Sequence, residues 1–105
     1  LVSQVEKTLK TTCHVTSFGP ETIRRVGVVS GGAPDAINDC KAAGVDCLVT
    51  GEMDHTHYHI AREHSMNVIA AGHYRTEVPG LEALQGRLTD RFDVTCEFIE
   101  LPTGM

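Results

Sequence analysis

The sequence predicts an α/β domain with a mainly parallel sheet flanked by helices. Three short β-rich runs, Arg25–Ser30 (RVGVVS), Val45–Thr50 (VDCLVT) and Asn67–Ala71 (NVIAA), suit strands. Stretches with apolar residues at helical spacing separate them. Strands joined through helices pair in parallel by right-handed crossovers.

The elements follow in order. Leu1, Val2, Val5 and Leu9 fall on one helical stripe. Cys13 to Phe18 is β-rich but alternates poorly, and Gly19-Pro20 breaks the chain. Arg25–Ser30 reads as a buried strand. Gly31-Gly32 is a turn, and Pro34 suits the first turn of the next helix. In that helix Ala33, Ala36, Ile37 and Cys40 form one face, with Gly44 as its C-terminal stop. After the strand Val45–Thr50, Asp54 caps a helix running to about His64. Asn67–Ala71 is the next strand. Pro79-Gly80 opens a further helix with Leu81, Leu84 and Leu88 on one side. Val94 to Ile99 alternates as a final strand, and Pro102, Thr103 and Gly104 end the chain loosely.

At 105 residues the chain is expected to be a single domain, residues 1–105. Its 41% apolar and 22% charged content fits a globular protein and argues against disorder. The net charge of −5 disfavours nucleic acid as a partner. No stretch approaches the roughly 18–20 apolar residues of a membrane span. Cys13, Cys40, Cys47 and Cys96 are widely spaced and form no C-x-x-C pair, so reduced packing residues are expected. With no secretory leader in the sequence, the expected compartment is the cytoplasm. The opening at Leu1, inside a helical pattern and without an initiator Met, suggests a processed or truncated product.

Ligands of an open parallel sheet bind beyond the carboxyl ends of its strands. Here those ends carry Ser30-Gly31-Gly32, Thr50-Gly51-Glu52 and Gly72-His73, which parallel pairing would bring to one edge. In Ala71–Glu77 (AGHYRTE), His73 and Glu77 are four apart, so one helical turn sets both on one side. Imidazole with carboxylate suits zinc, manganese or iron, although a surface His beside a surface Glu has the same spacing. Glu52 is open to roles as a metal ligand, a group orienting a ligand, a general base or a solvated loop carboxylate. Gly31 and Gly32 before a helix could present N–H groups to a phosphate. Arg75 could pair with an anionic substrate or simply be solvated. His55, His57 and His59 would share a face on a strand. The helical pattern through Ala61-Arg62-Glu63 instead splits them into an i,i+4 pair, His55 and His59, and a separate side bearing His57, Ile60, Ala61 and His64.

The run from Ala43 to Glu77, AGVDCLVTGEMDHTHYHIAREHSMNVIAAGHYRTE, resembles the carboxyl-terminal half of the NGG-interacting-factor-3-like family, also named the GTP cyclohydrolase I type 2 homologues. Thr50-Gly51-Glu52, Ala71-Gly72-His73 and Thr76-Glu77 carry the resemblance, which extends upstream to Ser30-Gly31-Gly32-Ala33. It implies one half of a fold with two similar α/β lobes, a two-metal centre and a ring-shaped hexamer. It implies that His73 and Glu77 are metal ligands, with Glu52 near them. The family's amino-terminal His-His pair and its further acidic ligand have no match here, and its His after Thr-Gly-Glu is displaced among His55, His57 and His59. The implied activity is that of a metal-dependent hydrolase, GTP cyclohydrolase-like, acting on a nucleotide-like or phosphorylated small molecule. The alternative is a metal-binding regulatory or assembly protein without turnover. In the hydrolase reading Glu52 relays a proton, and Arg75 or the Gly31-Gly32 turn steadies the substrate.

Overall fold

Every residue of Cys47–Thr50 and of Asn67–Ala70 is buried, and these two strands form the centre of the sheet. The computed structural model describes residues 1–33 and 35–103, so the expectations for Pro34 and Gly104 lie outside the described residues. The elements run α1 (Val2–Leu9), β1 (His14–Ser17), β2 (Val26–Val29), α2 (Ala36–Ala42), β3 (Cys47–Thr50), α3 (His55–Glu63), β4 (Asn67–Ala70) and α4 (His73–Arg91). The sheet order is β1-β4-β3-β2, with β2–β3 and β3–β4 parallel. Among the described residues, only β1, which pairs with β4, is antiparallel.

Alternation along β3 and β4 divides the core between two faces. Leu48 and Val68 point to one side, where Ile37 and Cys40 of α2, Ala61 of α3 and Met66 pack against them. Cys47, Val49 and Ile69 point to the other, under Val2 and Val5 of α1. The ends of the elements are tied by polar groups. Asp46 accepts from the Arg24 and Arg25 N–H groups at 2.8 Å each, which fixes the approach to β2. The buried Asn67 side chain accepts from Gly19 N at 2.9 Å and donates to Pro20 O at 2.9 Å, which holds the Gly19-Pro20 break. Asp54 caps α3 by accepting from His57 N at 2.9 Å. Gly44, at φ 66°, ends α2 as expected.

Three expectations are corrected. The strand at Arg25–Ser30 is not buried: β2 lies at the sheet edge, and Val28 is 74% exposed. The last helix begins at His73, six residues before Pro79, which lies inside it. Gly72 at φ 87° turns the chain directly from β4 into this helix. Pro79 removes one N–H from the helical ladder and crowds the carbonyl of Arg75 one turn back, on a helix that has no buried residues. Val94–Ile99 forms no strand. A strand needs a neighbour to pair with, and this segment lies along α4 instead. There Gln85 Nε2 donates to Cys96 O at 2.9 Å, Arg75 bridges to Glu100 at 2.9 Å, and Leu101 N donates to the Tyr74 hydroxyl at 3.0 Å.

The register sets the site. Val29 lies opposite Thr50, and Thr50 opposite Ala70, so the loops after β2, β3 and β4 leave the same edge side by side.

Candidate metal centre

The three loops are knitted together by their backbones. Gly31 O accepts from Gly51 N at 2.9 Å and from the Thr50 hydroxyl at 3.3 Å. Gly72 N donates to Gly51 O at 2.9 Å. The Gly31 N–H donates to Thr76 Oγ1 at 2.9 Å, and that hydroxyl lies 3.0 Å from Gly72 O and 2.9 Å from His73 O. One threonine therefore ties the β2 loop to the first turn of α4. The backbone of Gly31 takes φ 67°, a left-handed conformation that glycine adopts without strain.

Glu52, His73 and Glu77 meet above this platform. Glu52 Oε1 lies 2.6 Å from His73 Nδ1, and Glu77 Oε1 lies 3.2 Å from His73 Nε2. The imidazole is thus held between two carboxylates, with all three side chains partly exposed. The hydrogen bond that His73 donates to Glu52 raises the His73 pKa above its ordinary value, opposed by desolvation and aided by the charges of Glu52 and Glu77. The glycines make room for the trio. A Cβ on Gly31 would sit 2.8 Å from Glu77 Oε1 and 3.2 Å from His73 Nε2, and one on Gly32 would sit 3.0 Å from Glu52 Oε2.

This donor set fits one side of a metal centre. Two donors bonded tetrahedrally to one zinc ion stand about 3.4 Å apart, close to the spacing of Nε2 and Oε1. A carboxylate on the other ring nitrogen is the usual means of orienting a ligating histidine, and Glu52 has that position. Glu52 and Glu77 address opposite ring nitrogens, so they do not share an ion through His73. Among the described residues no three His, Cys, Asp or Glu side chains converge as a complete ligand set.

The other predicted residues are placed differently. Arg75 reaches Glu100, and its guanidinium carbon lies 5.7 Å from the centre of the Tyr74 ring, so it joins no contact of the trio. The Gly31 N–H is already taken by Thr76, which removes it from any phosphate cradle. His55 and His59 pair on α3, and His57 turns to Asp54, in line with the helical reading. Thr50, Gly51 and Thr76 clamp Gly31, a role that spacing in the chain does not reveal. Their signal was small residues flanking Glu52 and His73, which is legible only once the three loops are known to touch.

A family profile described as Duf34/NIF3 (NGG1p interacting factor 3) matches residues 1–104. This chain belongs to the Duf34/NIF3 family. Among its NIF3 relatives, a protein of Deinococcus radiodurans named GTP cyclohydrolase 1 type 2 homolog is 42% identical over 102 residues, covering 97% of this chain and 39% of the relative. A protein of Pyrococcus horikoshii with the same name is 44% identical over 88 residues, covering 84% of this chain and 35% of its own. The chain therefore spans between a third and two fifths of these relatives. Two solved structures share its fold with a TM-score of 0.90 each. Protein ybgI, of unknown function, is 34% identical over 97% of this chain and 42% of its own. TTHA1606 of Thermus thermophilus is 32% identical over 99% of this chain and 42% of its own. The match to the NIF3 family bears out the resemblance drawn from Thr50-Gly51-Glu52 and Ala71–Glu77.

Proposed function

We propose that the chain contributes one side of a divalent-metal centre, with zinc, iron or manganese held by His73 and Glu77. The observation that carries this is the placement of His73, with Nδ1 on Glu52 at 2.6 Å and Nε2 facing Glu77 at 3.2 Å. The remaining ligands would come from NIF3 segments beyond the part of the relatives that this chain spans. The reading extends to a metal-dependent hydrolase, GTP cyclohydrolase-like, acting on a nucleotide-like or phosphorylated small molecule in the cytoplasm. The names of the relatives support it.

When bound, divalent ions supply Lewis-acid charge that stabilises negative charge developing on a substrate oxygen. Glu52 fixes the His73 ring through Oε1 and leaves Oε2 to accept or relay a proton. Thr76 and the glycines of the three loops hold this geometry without side chains in the way. An anionic substrate recruiting Arg75 would have to displace Glu100.

A second reading is a metal-binding assembly protein without turnover, forming a ring-shaped oligomer such as a hexamer. The apolar side chains left in the open support it, notably Val28 on β2, Leu81 and Leu84 on α4, and Ile99 and Leu101 along it.

The test is elemental analysis of the full-length protein, wild type and His73→Ala, sized by chromatography with light scattering. Stoichiometric metal that is lost in a folded His73→Ala variant supports the centre. Unchanged metal content defeats it. Hydrolysis of a panel of nucleotides and phosphate esters separates the enzyme from the assembly protein.

A further inference from the structure

Helix α3 carries a pair of nitrogen donors separate from His73 and Glu77. His55 and His59 lie one turn apart, both exposed, with their Nε2 atoms 3.4 Å from each other. Their rings meet edge to face with centroids 4.7 Å apart. The pair is braced on one side: Tyr58 packs edge-on against His59 at 5.5 Å and against Phe18 at 5.1 Å. The Asp54 cap fixes the first turn of the helix and also holds His57, which therefore stays out of the pair.

We propose that His55 and His59 form a two-point chelate for a borderline divalent ion of the Zn²⁺, Ni²⁺ or Cu²⁺ class. Zinc–imidazole bonds of about 2.0–2.1 Å at a tetrahedral angle put two nitrogens roughly 3.4 Å apart, the spacing already present. Neutral imidazole is a good ligand for these three ions, while Mg²⁺ and Ca²⁺ prefer oxygen. Among the described residues no third His, Cys, Asp or Glu completes the set. Water or an incoming ligand fills the remaining positions, which makes this an exchangeable site on the surface rather than a structural one. It stands apart from His73 and Glu77 and does not depend on their role.

The test is calorimetric titration of Ni²⁺ into the full chain, comparing wild type with His55→Gln, His59→Gln and the exposed control His14→Gln. One binding event should weaken about tenfold or more in each of the first two variants, because a chelate becomes a single imidazole. It should be unchanged in His14→Gln. Far-UV circular dichroism checks that α3 is intact, and if His59→Gln disturbs its packing on Tyr58, His55→Gln decides. Affinities unchanged in a folded His55→Gln variant would overturn the proposal and assign the bound nickel to other donors.

Discussion

Glu52 is the second residue of the loop after β3 and His73 opens α4, and their side chains meet at 2.6 Å across 21 residues of sequence. The contact exists because β3 and β4 run in parallel with Thr50 opposite Ala70, so the loops leaving the two strands emerge at the same edge. A carboxylate and an imidazole brought together in this way control which ring nitrogen is left to face Glu77.

Replacing Glu52 with Gln is therefore expected to leave the fold intact and weaken metal binding in the full-length protein. Loss of a carboxylate that orients a ligating histidine typically costs about 10- to 100-fold in affinity. Competition titration with a metal indicator measures this. Equal affinity in wild type and variant would remove Glu52 from the centre.

The glycines should separate by position. Gly51→Ala places a Cβ 2.5 Å from Gly31 O and 2.9 Å from the His73 Cα, both backbone atoms that cannot swing away. A loss of about 1–3 kcal/mol is expected from such overpacking. Gly80 and Gly86 lie within α4 with nothing within 4 Å of an added Cβ. Alanine there should stabilise by about 0.5–1 kcal/mol each. Urea denaturation of the three variants gives both signs in one series.

Asp46 gives a pH signature. The Arg24 N–H bond, with that of Arg25, holds its carboxyl pKa below the ordinary value of 3.8. A carboxylate with a depressed folded pKa contributes stability that is fully present above the unfolded value and is lost as pH falls through the folded one. The stability gap between wild type and Asp46→Asn should be constant above about pH 5 and narrow below pH 3.8. Thermal melts across that range test it, and a gap independent of pH would exclude the charge as its source.

The cysteines should divide two and two towards alkylation in the native state. Cys40 and Cys47 are buried while Cys13 and Cys96 are partly exposed, and all four are free thiols. Burial, followed by the neighbouring Cys40, pushes the Cys47 thiol up to about 11. Reaction follows the accessible thiolate, so Cys47 should label at least about tenfold more slowly than Cys96. Mass mapping after a short iodoacetamide pulse reads the order directly.

Much of the site could be read from order and spacing alone. His73 and Glu77 sit four apart on a helix, and Gly72 precedes the turn that starts it, as their residue types implied. The convergence of the three loops followed from parallel pairing. Closeness in sequence to His73 does not make Arg75 face the same way. Two residues along a helix point about 200° apart, and Arg75 finds Glu100.

The alternation of helices and strands as far as α4 and the split of the three histidines on α3 are legible in the chain, because periodicity and capping are local properties. Tertiary structure decided which strands are central and which lie at the edge. Val26–Val29 has the composition of a buried strand, yet it is exposed because only β3 lies beside it. Val94–Ile99 alternates correctly, but a strand is defined by its partner, and α4 supplies side chains rather than a ladder of N–H and C=O groups. The clamp of Thr50, Gly51 and Thr76 on Gly31 has the same origin: hydrogen bonds between loops far apart in sequence form only where the sheet register sets those loops side by side.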